Sequence, residues 1–282
     1  MKHVIAIDMG ATNIRVGVID EKLNIIEVIR ERTCHDGNVA LINQIIRLIN
    51  EVHFSNYEIS SITIGVPGRV RNDGYVYELP NIHVKDLDLV TPLTKEFGVS
   101  TYVINDATAA GLAEAVSGSG KQYSSVFFIT ISSGVGGSYF VDHNYKVAST
   151  EIGHTLFEYK GEYYEFEHIC SGYGIKRLAS INNINLEEGY HMFIGYKNGD
   201  EALTALYKDW LNLFHKFFGF IQNTFSPEVI VLTGGVMKSA DIFLKDLKEN
   251  NPNCNLVKAY HDQDAGLIGS ACYGLQKEGL LD

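Results

Sequence analysis

Two stretches of this chain, Val4 to Asp20 (VIAIDMGATNIRVGVID) and Val126 to Asp142 (VFFITISSGVGGSYFVD), have the same length and the same layout. Each is an apolar run, a turn of small residues and a second apolar run, which is the pattern of a β-hairpin. Val126 falls where Val4 does, Ser132 where Gly10 does and Asp142 where Asp20 does, at an offset of 122 residues throughout. A repeat this long lies outside the roughly 20 to 50 residue periods of solenoids, so it predicts two related lobes rather than an array. Two lobes in turn predict a cleft, the usual place for a small-molecule site.

Helix and strand signals alternate behind each hairpin, as in a layered α/β domain. In the first half, Val39, Ile42, Ile46, Ile49 and Val52 mark one helical face, and Ile62 to Val66 follows as a strand. Pro92 begins a helix that Gly98 ends, Thr101 to Ile104 is the next strand and Ala107 to Val116 the next helix. In the second half, Leu203, Leu206, Trp210, Phe214, Phe217 and Ile221 describe a long helix that stops before Pro227. Val229 to Leu232 is a strand running into Gly234-Gly235, and Ser239 is placed to cap the helix behind it.

Composition removes several classes of function. The 282 residues, 45% hydrophobic and 20% charged, suit one large core or two moderate ones in an ordinary globular protein. A formal charge of -11 with no run of Lys and Arg gives phosphate backbones no favourable field, so nucleic acid is not expected as a partner. No segment approaches the ~20 apolar residues of a membrane span, and Met1 leads straight into the strand-like Val4 to Ile7 with no leader pattern. Four scattered cysteines, Cys34, Cys170, Cys254 and Cys272, read as reduced thiols rather than a disulfide framework. The expectation is a cytoplasmic protein with no membrane partner.

The two small-residue turns carry the first chemistry. Gly10, Ala11 and Thr12 in one, and Ser132, Ser133, Gly134, Gly136 and Gly137 in the other, leave backbone N–H groups uncovered, and such turns cradle phosphates. Glycines also simply make tight hairpins, but two equivalent turns in two repeated lobes favour the phosphate reading. No Gly-Lys-Ser/Thr follows either turn, which excludes an ordinary P-loop. Asp8 closes the first strand, where a carboxylate could hold hydrated Mg²⁺ or merely cap a turn. Asn105-Asp106 ends another strand and starts a helix, a position that suits either a ligand site or a helix N-cap.

Taken in order, IDMGATNIR, GVPGRV, NDATAAGLAEA, TISSGVGGS, EIGHT and VLTGGV resemble the ROK family of sugar kinases and sugar-responsive repressors. The resemblance covers nearly the whole chain and rests on six weak segments occurring together. It implies the two-lobed, duplicated actin-like ATPase (ribonuclease H-like) α/β fold, with the active site in the cleft between a small lobe of residues 1–106 plus 264–282 and a large lobe of residues 107–263. Carried over position by position, it implies that Asp8, Met9, Gly10, Ala11, Thr12, Asn13 and Arg15, with Thr130, Ser132, Ser133, Gly134, Val135, Gly136 and Gly137, bind the phosphates of ATP. Gly234 and Gly235 become the adenosine-side turn. Asp106 matches the catalytic aspartate. Asn105, Glu151, His154 and Glu167 match residues that hydrogen-bond sugar hydroxyls, and Gly68, Arg69 and Asn81 match small-lobe loops that meet the sugar. Thr108 stands where the family commonly has a second Asn.

The resemblance also implies ATP and Mg²⁺, with Asp8 reaching the metal through water. Many members carry a structural zinc held by the His of the EIGHT-like segment and three cysteines shortly after it. From His154 to Glu167 this chain has no cysteine, and Cys170 alone cannot build a four-coordinate site, so no zinc is expected. The aromatics Tyr159, Tyr163, Tyr164 and Phe166 read instead as core filling there. The loop DMGATNIR is most similar to D-allose kinases and Gly68-Arg69-Val70 resembles N-acetylmannosamine kinases, so a hexose such as allose or glucose is favoured, with N-acetylmannosamine or fructose as alternatives. A sugar-sensing repressor is the rival class; only Met1 to His3 precede the first hairpin, so the helix-turn-helix expected of that class is not seen in this sequence. A homodimer is neither supported nor excluded by the residues.

Overall fold

A computed structural model describes residues 1–79, 82–147 and 150–281, with the backbone alone for residues 145–147. The chain forms two compact units, Met1–Val116 with His261–Asp282, and Ser117–Tyr260.

The first unit runs β1 (Lys2–Met9), β2 (Asn13–Asp20), β3 (Ile25–Arg32), α1 (Asn38–Glu51), β4 (Glu58–Val66), β5 (Arg69–Val70), β6 (Val76–Leu79), β7 (Val84–Leu87), α2 (Val90–Phe97), β8 (Ser100–Asn105) and α3 (Asp106–Val116). The second runs β9 (Ser125–Ile131), β10 (Val135–Val141), β11 (Asn144–Val147), β12 (Leu156–Tyr159), β13 (Glu162–Glu165), α4 (Phe166–Cys170), α5 (Gly174–Ile181), α6 (His191–Lys197), α7 (Glu201–Phe225), β14 (Val229–Thr233), α8 (Ala240–Asn250) and β15 (Leu256–Lys258). α9 (Ala265–Lys277) returns to the first unit.

The repeat read from the sequence is a repeat of topology. One sheet has the order β3-β2-β1-β4-β8 and the other β11-β10-β9-β14-β15, each with two antiparallel pairings followed by two parallel ones. The constant offset does not survive. His3 pairs with Asp20 whereas Ser125 pairs with Val141, so the first strands are 122 residues apart and the second strands 121. The cause is the turn: four residues separate the paired Met9 and Ile14, and three separate Ile131 and Val135.

In the first unit the core lies between the sheet and α1, α2 and the small β5-β6-β7 sheet, built from residues such as Ile5, Ile7, Val16, Ile45 and Leu93. The helical face expected for α1 is rotated. Leu41, Gln44, Ile45, Leu48 and Ile49 are the buried residues, while Val39 is 72% exposed. Apolar residues wrap more than one stripe of this helix, so their spacing alone could not choose which stripe packs. α9 covers the region of β1 and β4 with a small-residue face: Gly269 lies against the Ala109 carbonyl of α3 so closely that a Cβ would overlap it, and a Cβ at Gly274 would run into Thr63. The division between units falls after Val116 rather than after Asp106 because α3 packs on α9.

In the second unit α7 buries Trp210, Phe214, Phe217 and Phe218, each fully buried large side chain stabilising by ~1.5–3 kcal/mol. Phe166 stacks on Phe217 with centroids 3.8 Å apart, and Tyr159 and Tyr164 pack against the same core. Tyr163 does not, being 70% exposed on the β12–β13 hairpin, where alternate residues face away from the core. Ser239 stands at the N-cap of α8 without a capping hydrogen bond, because the 3₁₀ turn Gly235–Ser239 already leads the chain into the helix.

Candidate functional site

In the first unit Asp8, Gly10, Asn13 and Arg15, among the residues expected to bind phosphate, line a cavity of about 450 Å³ together with Arg30 and Gln263. The turn is braced from behind: Thr33 donates to Thr12 O from its backbone (3.1 Å) and to Gly10 O from its hydroxyl (2.7 Å), and His35 Nε2 meets Ala11 O at 2.8 Å. The N–H groups of Ala11 and Thr12 meet no acceptor among the described residues. Met9 is fully buried in the core, so any part it plays in binding falls to its backbone.

Asp8 sits at the end of β1 against the start of α9, where Gly266 leaves room for it; a Cβ there would fall 2.5 Å from Asp8 Oδ1. Burial raises its pKa above the ordinary carboxylate value, Arg15 opposes that shift and Asp264 adds to it. Arg15 is held by Asp264 (2.5 Å) and by the Gln263 carbonyl. No described group donates a hydrogen bond to Asp8, and a desolvated carboxylate with open oxygens fits a hydrated Mg²⁺.

Asp106 lies where β8 passes into α3. Burial is the main influence on its carboxyl, the Ala107 N–H at 2.7 Å partly offsets it, and the charge of Asp8 adds to it, leaving the pKa pushed up to about 6. The capping role that could have explained Asp106 belongs to Asn105: its Oδ1 accepts from Thr108 N (3.0 Å) and Oγ1 (3.3 Å). Asn105 Nδ2 donates to Gly68 O at 3.2 Å, tying the Gly68-Arg69 loop to the same strand end, and Arg69 is exposed. Gly68 is obligatory there, since a Cβ would overlap the Glu78 carbonyl. Asn81 lies outside the described residues.

In the second unit the β9–β10 turn presents the N–H groups of Ser133 and Gly134, which meet no acceptor among the described residues. Glu167 Oε2 accepts from Val135 N at 3.1 Å and lies where a Cβ on Gly134 would come within 2.7 Å. Thr130 pairs across the sheet with Gly136 and Thr233, below the turn, and Gly137 packs on Ile152 and Phe127. Three predicted sugar ligands come together here: His154 Nε2 is 3.6 Å from Glu151 and its Nδ1 is 3.9 Å from Glu167. Glu151 holds a left-handed backbone (φ 45°) at the start of the 3₁₀ turn Ile152–His154.

Sequence reasoning missed Glu165, which meets His154 Nδ1 at 2.8 Å; that hydrogen bond is the first cause of the raised His154 pKa and of the lowered Glu165 pKa. His154, Glu165 and Glu167 thus bring ligand atoms within 4.8 Å of one another, a histidine–carboxylate cluster rather than a thiolate one. Burial pushes the Cys170 thiol pKa up. Asp264 and Thr33 were also missed, and no spacing rule marks a brace contributed from a distant strand or helix.

Ser132 joins the turn to its neighbours: its carbonyl accepts from Gly172 N (2.7 Å) and its Oγ from Gly235 N (3.0 Å). Gly234, at φ 102°, leaves no space for a side chain against the Ile131 backbone. Beside these three segments opens a cavity of about 510 Å³, within the range of small-molecule pockets. Among the described residues no helix is long and apolar enough to cross a membrane.

Bare-backbone turns on duplicated sheets, with carboxylates at the strand ends, form an arrangement suited to holding phosphate groups in an α/β protein. The glucokinase of Streptomyces griseus, solved with glucose and AMPPNP, superimposes with a TM-score of 0.71 at 20% identity, covering 97% of this chain and 99% of that one. The fold is thus the duplicated actin-like ATPase fold. The ROK family profile matches residues 4–277, and the chain belongs to that family. It is 25% identical to a glucokinase of Thermotoga maritima (95% of this chain, 96% of that protein) and 25% identical to the xylose repressor of Bacillus subtilis (74% and 56%).

Proposed function

We propose that this protein is an ATP-dependent sugar kinase that phosphorylates the 6-hydroxyl of a hexose, allose or glucose being favoured. The observation that carries the reading is the pair of half-buried carboxylates at strand ends: Asp106, with its pKa pushed up to about 6, and Asp8, whose oxygens are open. A base with a pKa near the operating pH is ionised yet still basic enough to take a proton. The glucokinase relatives, and the neighbour solved with glucose and AMPPNP, support the same chemistry.

In this reading Asp106 accepts the proton of the sugar 6-hydroxyl as that oxygen attacks the γ-phosphorus. The new phosphate ester forms while the bond to the β-phosphate oxygen breaks and ADP leaves. Asn105, Glu151, His154 and Glu167, with Gly68, Arg69 and Asn81, fix which hydroxyl is in line. Asp8 to Asn13, Arg15, Thr130 and Ser132 to Gly137 hold the phosphates, and Gly234-Gly235 meets the adenosine. Mg²⁺ on Asp8 through water would offset charge on the phosphate oxygens. Positioning does most of the work, because phosphoryl transfer needs little covalent help.

The similarity to a xylose repressor supports a second reading, a sugar sensor without turnover. A coupled assay of ADP formation with ATP, Mg²⁺ and allose, glucose, mannose, fructose, N-acetylglucosamine or N-acetylmannosamine separates the two. The kinase reading expects turnover with at least one hexose; binding of a sugar without ADP formation above the ATP-only rate would favour the sensor.

A further inference from the structure

The two nitrogens of an imidazole are distinct, and the partner of one decides what the other can offer. His154 Nδ1 meets Glu165 Oε2 at 2.8 Å, whereas Nε2 lies 3.6 Å from Glu151, beyond hydrogen-bond range. An ionised carboxylate accepts and cannot donate, so the proton of the short contact lies on Nδ1 whatever the charge of the ring. Nε2 is then the nitrogen left for a ligand, beside Glu151. His154 ends a three-residue 3₁₀ turn with its side chain half-exposed, so packing alone does not choose the ring's orientation. Glu165 is anchored better. It ends β13 opposite Leu156, and the next residue, Phe166, is fully buried against Phe217 and donates its N–H to Thr155 O at 2.9 Å. The other carboxylate near Nδ1, Glu167, stands 3.9 Å away and is committed through Oε2 to Val135 N at 3.1 Å. His168 Nε2 lies 3.4 Å from the same Glu165 oxygen.

We propose that Glu165 is a positioning residue for the sugar: it fixes the ring of His154 through Nδ1 so that Nε2, beside Glu151, meets a sugar hydroxyl. No cysteine lies between His154 and Glu167 to assemble a thiolate zinc site at Nδ1. In this chain a carboxylate takes that nitrogen, and the ring is oriented without a metal. The proposal rests on the kinase reading for the identity of the ligand as a sugar; the geometry of His154 and Glu165 does not depend on it.

The test is calorimetric binding of glucose and of allose, without nucleotide, to the wild-type protein, Glu165→Ala, Glu165→Gln, His154→Ala and the double variant His154→Ala with Glu165→Ala, beside steady-state turnover with ATP and Mg²⁺. A hydrogen bond to a charged group corresponds to roughly tenfold in affinity. Glu165→Ala should raise the sugar Kd and KM about tenfold and leave kcat within about twofold, the split expected when binding alone is lost. Glu165→Gln still accepts from Nδ1 and should keep most of the affinity. Once His154 is Ala, removing Glu165 should cost nothing further, because the two act as one unit. Unchanged affinity in Glu165→Ala, an equal loss with and without His154, Glu165→Gln as weak as Glu165→Ala, or binding of neither sugar would overturn the inference. So would one zinc ion per chain in the purified wild type that Glu165→Ala releases. A His154-dependent loss of sugar binding in Glu165→Ala, in a protein that forms no ADP from sugar, would uphold the positioning role and sink the kinase reading. Sugar turnover indifferent to Glu165 would do the reverse.

Discussion

Burial takes water from the Asp106 carboxylate and the charge of Asp8 adds to the cost, so the proton is held up to about 6. The pKa is raised in the folded state, so the neutral form is the one folding favours. That stabilisation is complete below the unfolded value of 3.8 and is lost as pH rises through about 6. Replacing Asp106 with Asn should therefore stabilise the protein at pH 7.5 by on the order of 2 kcal/mol, read as a higher Tm, and the difference should shrink to nothing near pH 4. A Tm gain that is the same at both pH values would contradict this. The same titration governs activity with the opposite sign. kcat/KM should fall as pH drops through about 6, because the base must be ionised, and a flat profile between pH 5 and 7.5 would count against Asp106 as that base. At this scale the sequence was legible for Asp106, because Asn-Asp follows a strand signal, yet ambiguous in role. Only the geometry shows Asn105 doing the capping and leaving Asp106 free of it. Glu165 was invisible, since its partner His154 lies eleven residues away on the other side of a hairpin.

At the scale of elements, α9 shows how two glycines in one helix serve different ends. A methyl at Gly269 meets backbone, the Ala109 carbonyl of α3, which cannot move aside. Gly269→Ala should cost about 3 kcal/mol of stability, measured by chemical denaturation. A methyl at Gly266 meets the Asp8 side chain instead. Gly266→Ala should barely change stability but should displace the carboxylate and lower turnover by tenfold or more, about the effect of ~1.4 kcal/mol of lost transition-state stabilisation. If both variants behaved alike in stability and in activity, the assignment of Gly266 to the site would be wrong. Strands with alternating or continuous apolar runs between turn residues were readable, and so were α2, stopped by Gly98 at φ 70°, and the long α7. The face of α1 was not, because its apolar residues outnumber one stripe. The shortened β9–β10 turn escaped notice because a one-residue slip keeps small residues opposite small residues.

For the whole molecule, the duplication was legible because two hairpins with the same apolar grammar recur at long range, and the matched sheet orders follow from it. The limits of the units were not, since α3 belongs with α9, a partner over a hundred residues away in sequence. Each unit carries one part of the proposed equipment: the carboxylate pair and one turn in the first, the second turn, the His154 cluster and the adjoining cavity in the second. The central claim is that Asp106 acts as the base for a sugar hydroxyl, which single-turnover ADP formation with a saturating hexose tests most directly. Asp106→Asn should lower that rate by ~10²–10⁴-fold while sugar binding is retained. A variant that binds the sugar and forms ADP at the wild-type rate would contradict the account.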